Sequence, residues 1–199
     1  MRRTVTLAAA ALALGALAVL GRRLARLEPV LVEGDSMRPT LPPSQRAAVG
    51  PLDRPLRRGD LVVVRRPRST GAPPWGSPDP SDLEVVKRVV GLPGERVRLV
   101  AGRLEVDGLE VAEPYLGGTT GGWAGAPQAE AGDLDLRLGE DQYLVLGDHR
   151  AASTDGRDFG PVPAAALTGR VRFAYWPPRR LPDPARMPRS VPIRPTGGR

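Results

Sequence analysis

Lysine is used once in this sequence, and its single use has a chemical meaning. The chain has 29 lysine and arginine residues, and Lys87 is the one lysine among them. A guanidinium stays protonated in proteins, whereas a buried ammonium can lose its proton. A site that needs a neutral amine as a base therefore accepts lysine and rejects arginine. The alternative is the chance survival of one lysine on a solvated face, and Lys87 taken alone favours that alternative.

The residues around Lys87 favour a buried amine. The stretch Leu83–Glu95, LEVVKRVVGLPGE, is rich in β-branched residues and ends in a Gly/Pro turn, which predicts a strand and its end. Side chains alternate along a strand, so Val85, Lys87 and Val89 share one face, while Arg88 lies on the other. Apolar burial disfavours the charged amine and lowers a lysine pKa from its usual value of about 10.4 towards neutrality.

A neutral lysine acts as a base only beside a nucleophile. A hydroxyl is a weak nucleophile that a neighbouring base must activate. Ser36 is the best candidate, because it follows a short apolar strand predicted at Pro29–Val32, and Gly34 provides a turn that projects its hydroxyl. Its backbone N–H would then be free to donate to a developing oxyanion, whereas Gly34 has no side-chain donor. An ordinary turn serine is the alternative, which Ser36 alone favours.

A third polar segment lies near the end of the chain, at residues 147–160, GDHRAASTDGRDFG. Within ten residues, Asp148, Arg150, Asp155 and Arg157 offer two acids and two bases. Ion pairs among them would hold a loop rigidly, although exposed pairs contribute only about 0–1 kcal/mol each. Ser153 lies among them and is able to hydrogen-bond an amine and fix its direction. A solvated polar loop is the alternative if this segment stands alone.

Composition excludes several classes of site and partner. The chain has no cysteine and one histidine, His149, so disulfides, thiolate metal sites and histidine clusters are excluded, and no spaced carboxylate loop is present. We therefore expect no cofactor and no metal. The net charge of +7 favours anionic partners. Because aromatic residues make up only 4% and do not interleave with basic ones, a lipid surface is favoured over nucleic acid.

Residues 1–27 are predicted to be a membrane anchor. Thr4–Leu20 is an uncharged run of about 17 residues, roughly 25 Å as a helix, at the short limit for a membrane span. Arginines flank it on both sides, so charge does not settle its orientation. A cleaved signal peptide is the alternative, because Ala16–Ala18 is a small-x-small site. That site lies inside the apolar run rather than after it, which favours a retained anchor.

Residues 28–176 are predicted to form one β-rich domain. Strands are expected at Pro29–Val32, at Arg46–Gly50 and Asp60–Arg66 as a pair, across Lys87, at Gln142–Leu146 and at Gly169–Trp176. Alternation after Glu95 puts four side chains on one apolar face: Val97, Leu99, Leu104 and Val106. Residues 67–82 and 114–140 are expected to be loop insertions. The Pro/Arg-rich tail, 177–199, is expected to be disordered.

Together these segments resemble the bacterial type I signal peptidases and their mitochondrial inner-membrane relatives, which use a Ser–Lys dyad. GDSMRPTL at 34–41, RRGDLVVV at 57–64, KRVVGLPGE at 87–95 and GDHRAASTDGRDFGPV at 147–162 match the boxes of that family in order, and VDGLEVAEPYL at 106–116 matches the run before the last box. The family pattern has Asn where this chain has His149, and usually Ser where it has Gly156.

The resemblance implies a mainly β fold. We expect an antiparallel β-sheet catalytic core, a small inserted β region and an N-terminal transmembrane helix. Ser36 is then the nucleophile and Lys87 the general base. Gly34 lies where some members carry a hydroxyl that helps to bind the oxyanion, and apolar surface near Met37 is expected to touch lipid.

The resemblance also implies roles for supporting residues. Ser153 should hydrogen-bond the Lys87 amine. Asp155 and Arg157 should form a supporting salt-bridge network with Arg88.

The function expected is that of a membrane-bound serine endopeptidase that removes signal peptides from exported preproteins. The resemblance implies small substrate residues at −1 and −3, and a single-pass location in the plasma membrane with the catalytic domain on the extracytoplasmic side. Three alternatives remain: a Ser–His–Asp hydrolase that uses His149, a self-cleaving Ser–Lys protein, and an inactive basic protein that binds the envelope.

Overall fold

A computed structural model of the chain describes residues 24–66, 83–116 and 133–182, together with positions 15, 21, 184, 191 and 192. The strands, in chain order, are β1 Glu28–Leu31, β2 Arg46–Gly50, β3 Leu61–Arg66, β4 Leu83–Gly91, β5 Arg96–Val100, β6 Arg103–Val106, β7 Leu109–Glu110, β8 Leu134–Arg137, β9 Gln142–Leu146, β10 Val162–Pro163, β11 Leu167–Trp176, β12 Pro178–Arg179 and β13 Val191–Pro192. A short helix, α1, spans Gly156–Phe159, and 3₁₀ turns occur at Pro114–Leu116, Arg150–Ala152 and Ala164–Ala166. The expected mainly β fold with antiparallel sheets is confirmed.

The larger sheet has eight strands and carries the candidate site. Its order is β1-β2-β11-β3-β4-β9-β10, with β12 paired to β11. The pairing predicted between β2 and β3 is wrong, because β11 lies between them and pairs with both. The ladder of β3 and β4 places Lys87 opposite Val62 and Arg88 opposite Leu61. Strand alternation thus puts the two cations on opposite faces of one strand.

The two faces of this sheet bury different apolar clusters. Val62, Val64 and Val89 belong to one cluster. Leu61, Val63 and Met37 belong to another. Each fully buried side chain of this kind contributes about 1.5–3 kcal/mol relative to an exposed one. A strand with both faces covered reads as a continuous valine run, which is the pattern of β3 and β4.

The second sheet has five strands in the order β13-β7-β6-β5-β8. The apolar face predicted from alternation is confirmed: Val97, Leu99, Leu104 and Val106 all belong to its buried cluster. The expectation that 114–140 is entirely loop is wrong at its two ends. Residues 114–116 form a 3₁₀ turn in which Tyr115 and Leu116 are buried, and β8 pairs with β5 while its leucines pack on that cluster. Two apolar residues in a four-residue strand are a weak signal in a sequence.

The two ends of the chain differ in what the structure describes. The apolar run predicted to span a membrane lies, apart from Gly15, outside the described residues. No helix within the described part is long and apolar enough to cross a bilayer. The tail, expected to be disordered, supplies β12 and β13, which pair with β11 and β7. Backbone pairing needs no apolar face, so composition gave no sign of these two short strands.

Candidate active site

The loop that carries Ser36 joins β1 to β2 and is held by apolar side chains. It bends at Gly34, whose φ of +77° lies in the left-handed region that favours glycine. Met37 is 1% exposed and packs in a core cluster with Leu41, whose N–H donates to the Met37 carbonyl at 2.8 Å. Ser36 stays half-exposed beside them. The side chain of Met37 is therefore an anchor of the loop and offers no surface to lipid.

Lys87 lies in the middle of β4, and its side chain is only 2% exposed. Its neighbours Val85 and Val89 on the same face pack with the apolar cluster that contains Val62, its cross-strand partner. The Lys87 Nζ donates to Ser153 Oγ at 3.0 Å. The predicted burial of the amine and its predicted hydrogen bond to Ser153 are both present. Removal from water disfavours the charged form of an amine.

Gly147 brings the segment of Ser153 against the segment of Ser36. A Cβ added at Gly147 would lie 2.1 Å from Ser153 Oγ and 2.6 Å from the Ser36 carbonyl oxygen. Both distances are far shorter than any normal contact, so the two serines crowd one point on the backbone. The N–H of His149, two residues later, donates to the same Ser36 carbonyl at 3.0 Å. The hydroxyl bonded to Lys87 and the backbone of Ser36 are thus packed together.

Asp155 and Arg157 fix the loop that presents Ser153. Asp155 is 0% exposed, and its carboxylate accepts from the Gly147 N–H at 2.8 Å and from Arg157 Nε at 2.9 Å. It also caps α1 as half of a capping box with Asp158. Burial raises the pKa of Asp155, but the hydrogen bonds from Arg157 and from the Gly147 backbone outweigh it, so the pKa lies below its usual value. Asp155 is therefore ionised and rigidly held.

Arg88 has a different carboxylate partner from the one expected. The expectation joined it to Asp155 and Arg157, whereas its Nε and one NH2 group donate to Asp148 at 2.7 and 2.6 Å. The same guanidinium donates to the Gly59 carbonyl at 2.9 Å and to Thr40 Oγ1 at 3.1 Å. Burial lowers the pKa of Arg88, and Asp148 more than restores it. Alternation gave the face of Arg88 correctly but not which acid meets it.

Two further residues of the site were missed as candidates in the sequence. Tyr115 lies under Arg88, with the guanidinium carbon 3.8 Å from the ring centroid. Glu113 accepts from the Tyr115 hydroxyl and from Arg150, and all three side chains are buried. Both residues stand in the run VDGLEVAEPYL, where an acid and an aromatic flank a proline. An acid and an aromatic residue on either side of a proline were therefore the only hint that the sequence offered for these two residues.

The two departures from the family pattern fit the local packing. His149 contributes its backbone N–H to the Ser36 carbonyl, a contact that any residue except proline is able to make. Gly156 begins α1 against β9, where an added Cβ would lie 2.8 Å from the Val145 carbonyl oxygen. Glycine thus allows the close approach of helix and strand. Within the described ranges, no group of three or more His, Cys, Asp or Glu side chains is placed to hold a metal ion.

Comparison with known proteins gives a family match over most of the chain. Residues 3–176 match the family model described as signal peptidase, peptidase S26. The chain is 32% identical over 161 residues to signal peptidase I of Bacillus licheniformis, which covers 75% of this chain and 77% of that relative. It is 32% identical over 155 residues to signal peptidase I T of Bacillus subtilis, covering 75% and 74%.

Signal peptidases I of two other bacteria are also similar to this chain. Signal peptidase IB of Staphylococcus aureus is 31% identical over 161 residues, covering 75% of this chain and 78% of the relative. The crystal structure of a signal peptidase I from Enterococcus faecalis aligns with a TM-score of 0.48 at 27% identity, covering 60% of this chain and 98% of that one.

Proposed function

Because the chain belongs to the signal peptidase family, peptidase S26, and is a serine endopeptidase that cleaves signal peptides, we propose that Ser36 is its nucleophile and Lys87 its general base. The observation that carries this proposal is the buried Lys87 amine bonded to Ser153, at a point where Gly147 packs Ser153 against the Ser36 backbone. A water-excluded amine and a loop serine in one place are the components of such a dyad.

The hydrogen bond to Ser153 sets the direction of the Lys87 amine. A neutral amine has two N–H donors and one lone pair. With one N–H given to Ser153, the lone pair remains to accept the proton of the Ser36 hydroxyl. Ser153 therefore acts as an orienting residue rather than as a reactant. The buried Asp155 carboxylate, which holds the Gly147 N–H and Arg157, keeps that orienting residue in place.

The reaction then runs in two halves. The Ser36 oxygen attacks the substrate carbonyl as its proton passes to Lys87, which forms a tetrahedral intermediate. Collapse breaks the C–N bond, the leaving amine takes the proton from Lys87, and an ester to Ser36 remains. Lys87, neutral again, takes a proton from a water molecule as that water attacks the ester. Collapse of this second intermediate breaks the ester C–O bond, Lys87 returns the proton to the Ser36 oxygen, and the signal peptide leaves as a carboxylate. Proton transfer of this kind contributes about 10²–10⁴-fold to a rate.

The developing oxyanion is stabilised by the backbone N–H of Ser36. Gly34, at the place where some relatives carry a hydroxyl, supplies no side-chain donor, and its φ of +77° would strain any other residue. Space is not the obstacle, since nothing lies within 4 Å of an added Cβ there. This chain therefore relies on fixed backbone geometry for oxyanion binding, which the buried Met37 anchor provides.

The substrates are secretory preproteins, and we propose small residues at −1 and −3 of the cleaved segment. The family is associated with membranes. We further propose that residues 1–27 anchor the chain, so that the catalytic domain faces the extracytoplasmic side, where signal peptides emerge. The net charge of +7 supports contact with anionic lipid.

Side-by-side cleavage of one preprotein tests the dyad. Wild type, Ser36→Ala and Lys87→Arg are purified at full length, and product is quantified at matched concentrations of folded protein. Both variants should fold and lose cleavage. Near-wild-type cleavage by Lys87→Arg would show that the amine is not the base. His149→Ala serves as the matched control, since its backbone contact to Ser36 persists; it should cleave within about threefold of wild type unless a Ser–His–Asp mechanism operates.

A further inference from the structure

The segment that leaves the second sheet reaches into the catalytic sheet. After β7, residues 111–116 run to a 3₁₀ turn in which Tyr115 and Leu116 are buried. Glu113 is buried as well. Buried polar groups must find partners, and those of Glu113 and Tyr115 lie in the segments around the candidate active site rather than in the second sheet. The second sheet thus contributes side chains to a site that it does not otherwise form.

Tyr115 supports Arg88, which in turn holds both reactive segments. The Tyr115 ring lies 3.8 Å from the Arg88 guanidinium carbon, a cation–π arrangement in a desolvated setting. Arg88 donates to Thr40, four residues after Ser36, at 3.1 Å. It also donates twice to Asp148, the residue that follows Gly147. A tilt of this guanidinium would move the end of the Ser36 loop and the loop of Ser153 together.

Glu113 fixes the Tyr115 ring from its other end and reaches the same loop by a second route. One Glu113 carboxylate oxygen accepts from both the Tyr115 hydroxyl and Arg150. Arg150 Nε donates to the Gly147 carbonyl at 3.1 Å. Burial and the Glu113 charge raise the pKa of Tyr115 well above its usual value, so its hydroxyl remains a donor. The ring therefore cannot rotate away without breaking a buried hydrogen bond.

We propose that Tyr115 is a positioning residue for the Ser36–Lys87 reaction: its ring, held by Glu113, fixes the Arg88 guanidinium that ties the loop of Ser36 to the loop of Ser153. The inference rests on the proposed dyad but adds a residue from the other sheet, which touches no reacting group. Its effect is on geometry, so it should change the rate of the chemical step and leave substrate affinity alone.

The ring and the hydroxyl of Tyr115 are separable by substitution. Tyr115→Leu removes the ring from Arg88. Tyr115→Phe keeps the ring and loses only the hydroxyl bond to Glu113. Arg96→Gln is the control, because Arg96 forms an exposed ion pair with Asp135 in the second sheet. Full-length proteins are compared by kcat and KM for cleavage of a preprotein with alanine at −1 and −3.

Tyr115→Leu should lower kcat by about 10–100-fold with KM within about twofold, since small misplacements of reacting groups have effects of this size. Tyr115→Phe should recover kcat to within about threefold of wild type, because the cation–π contact persists. Arg96→Gln should match wild type. The rate at which a serine-directed acylating probe labels Ser36 should follow kcat. All rates are divided by the folded fraction from near-UV circular dichroism, which separates misplacement from instability.

Two results would overturn the inference: Tyr115→Leu with wild-type kcat per folded molecule, or equal losses in Tyr115→Leu and Tyr115→Phe. The first would show that Arg88 keeps its place without the ring, and the second that the ring is not the feature that matters. Ser36→Ala is run beside them. Cleavage by Ser36→Ala would remove the dyad itself, whereas an inactive Ser36→Ala beside a fully active Tyr115→Leu would remove only the role of Tyr115.

Discussion

Lys87 and Arg88 are neighbours on β4, and the protein buries them in opposite ways. The Arg88 side chain, 1% exposed, meets a carboxylate, a carbonyl, a hydroxyl and an aromatic ring. The Lys87 side chain is just as deeply buried, and on its face valines surround it while its amine donates to the Ser153 hydroxyl. One face of the strand surrounds a cation with partners that keep it charged, and the other buries an amine among valines.

The difference shows why these two positions accept different residues. A guanidinium stays protonated, so it is buried safely only when it is paired and hydrogen-bonded, as Arg88 is. An amine is able to lose its proton, so an apolar setting suits it. Arginine at 87 would stay protonated and could not accept a proton, and lysine at 88 would lack the planar fork that meets Asp148 twice. Two adjacent residues thus differ in role: Arg88 holds segments of the structure together, and Lys87 is the residue proposed to act in the reaction.

Lys87→Met removes the amine and keeps the apolar shape. We expect kcat for preprotein cleavage to fall by about 10²–10⁴-fold, the usual contribution of a general base. The free energy of unfolding should stay the same or rise, because a buried polar group is replaced by an apolar one of similar size. Urea denaturation and a cleavage assay on the same sample measure both. A large loss of stability would mean that the amine is structural, contrary to the comparison.

Arg88→Met, on the opposite face of β4, should have its main effect on the free energy of unfolding. It leaves the Asp148 carboxylate buried and unpaired, which destabilises the fold by about 3–5 kcal/mol. Urea denaturation gives the free energy of unfolding. Asp148→Asn combined with Arg88→Met removes both charges, so the double variant should recover part of that loss. If Arg88→Met were as stable as Lys87→Met, the two faces would not differ in the way described.

Gly147→Ala tests the point where the two serine segments meet. An added methyl group would overlap Ser153 Oγ and the Ser36 carbonyl, so we expect a destabilisation of about 1–3 kcal/mol from overpacking. The displaced Ser153 would also leave the Lys87 amine without its orienting partner, so kcat should fall even at temperatures where the variant is fully folded. Gly94→Ala is the comparison for backbone strain without overlap: its φ of +80° disfavours alanine, but an added Cβ meets nothing within 4 Å, so this variant should lose some stability and keep wild-type kcat. A variant at 147 with wild-type kcat would contradict this packing.

Asp155 should make stability depend on pH. Its pKa is lowered in the folded state, so below neutrality the unfolded chain binds more protons than the folded one. Stability from this group is therefore present above the unfolded pKa of about 3.9 and is lost as pH falls through it towards the lower folded pKa. Asp155→Asn should destabilise the fold by about 1–3 kcal/mol at pH 7 and reduce the acid dependence. Urea denaturation at pH 7, 5 and 3.5 measures both; an unchanged acid dependence would speak against this residue as its source.

Much of the site was predictable because it is local in sequence. One lysine among many arginines, with valines at alternate positions, indicated a buried amine in a strand. The turn at Gly34 indicated a serine whose hydroxyl projects from the loop. Asp155 and Arg157 lie two residues apart, so their side chains are within reach of each other in a tight loop. Local spacing therefore gave the chemical groups and the face on which each lies.

The features that could not be predicted depend on pairing between segments that are distant in the sequence. The acid that meets Arg88 is chosen by which loop folds over the sheet, and Asp148 and Asp155 are chemically alike. The contributions of Glu113 and Tyr115 require the second sheet to dock on the first, which no periodicity reports. The position of β11 between β2 and β3 is likewise a choice of topology, since all three strands carry similar apolar patterns.

The position of β11 between β2 and β3 has a consequence for when the site is able to form during synthesis. Ser36 follows β1 and Lys87 lies on β4, and in the sheet their halves are joined through β11, which begins only at Leu167. During synthesis, Ser36 and Lys87 therefore belong to parts of the sheet that have no strand between them until β11 has been made. A chain that stops before Leu167 holds both residues without the strand that joins their parts of the sheet, so we expect the arrangement of Ser36 and Lys87 to form only after β11 has been added.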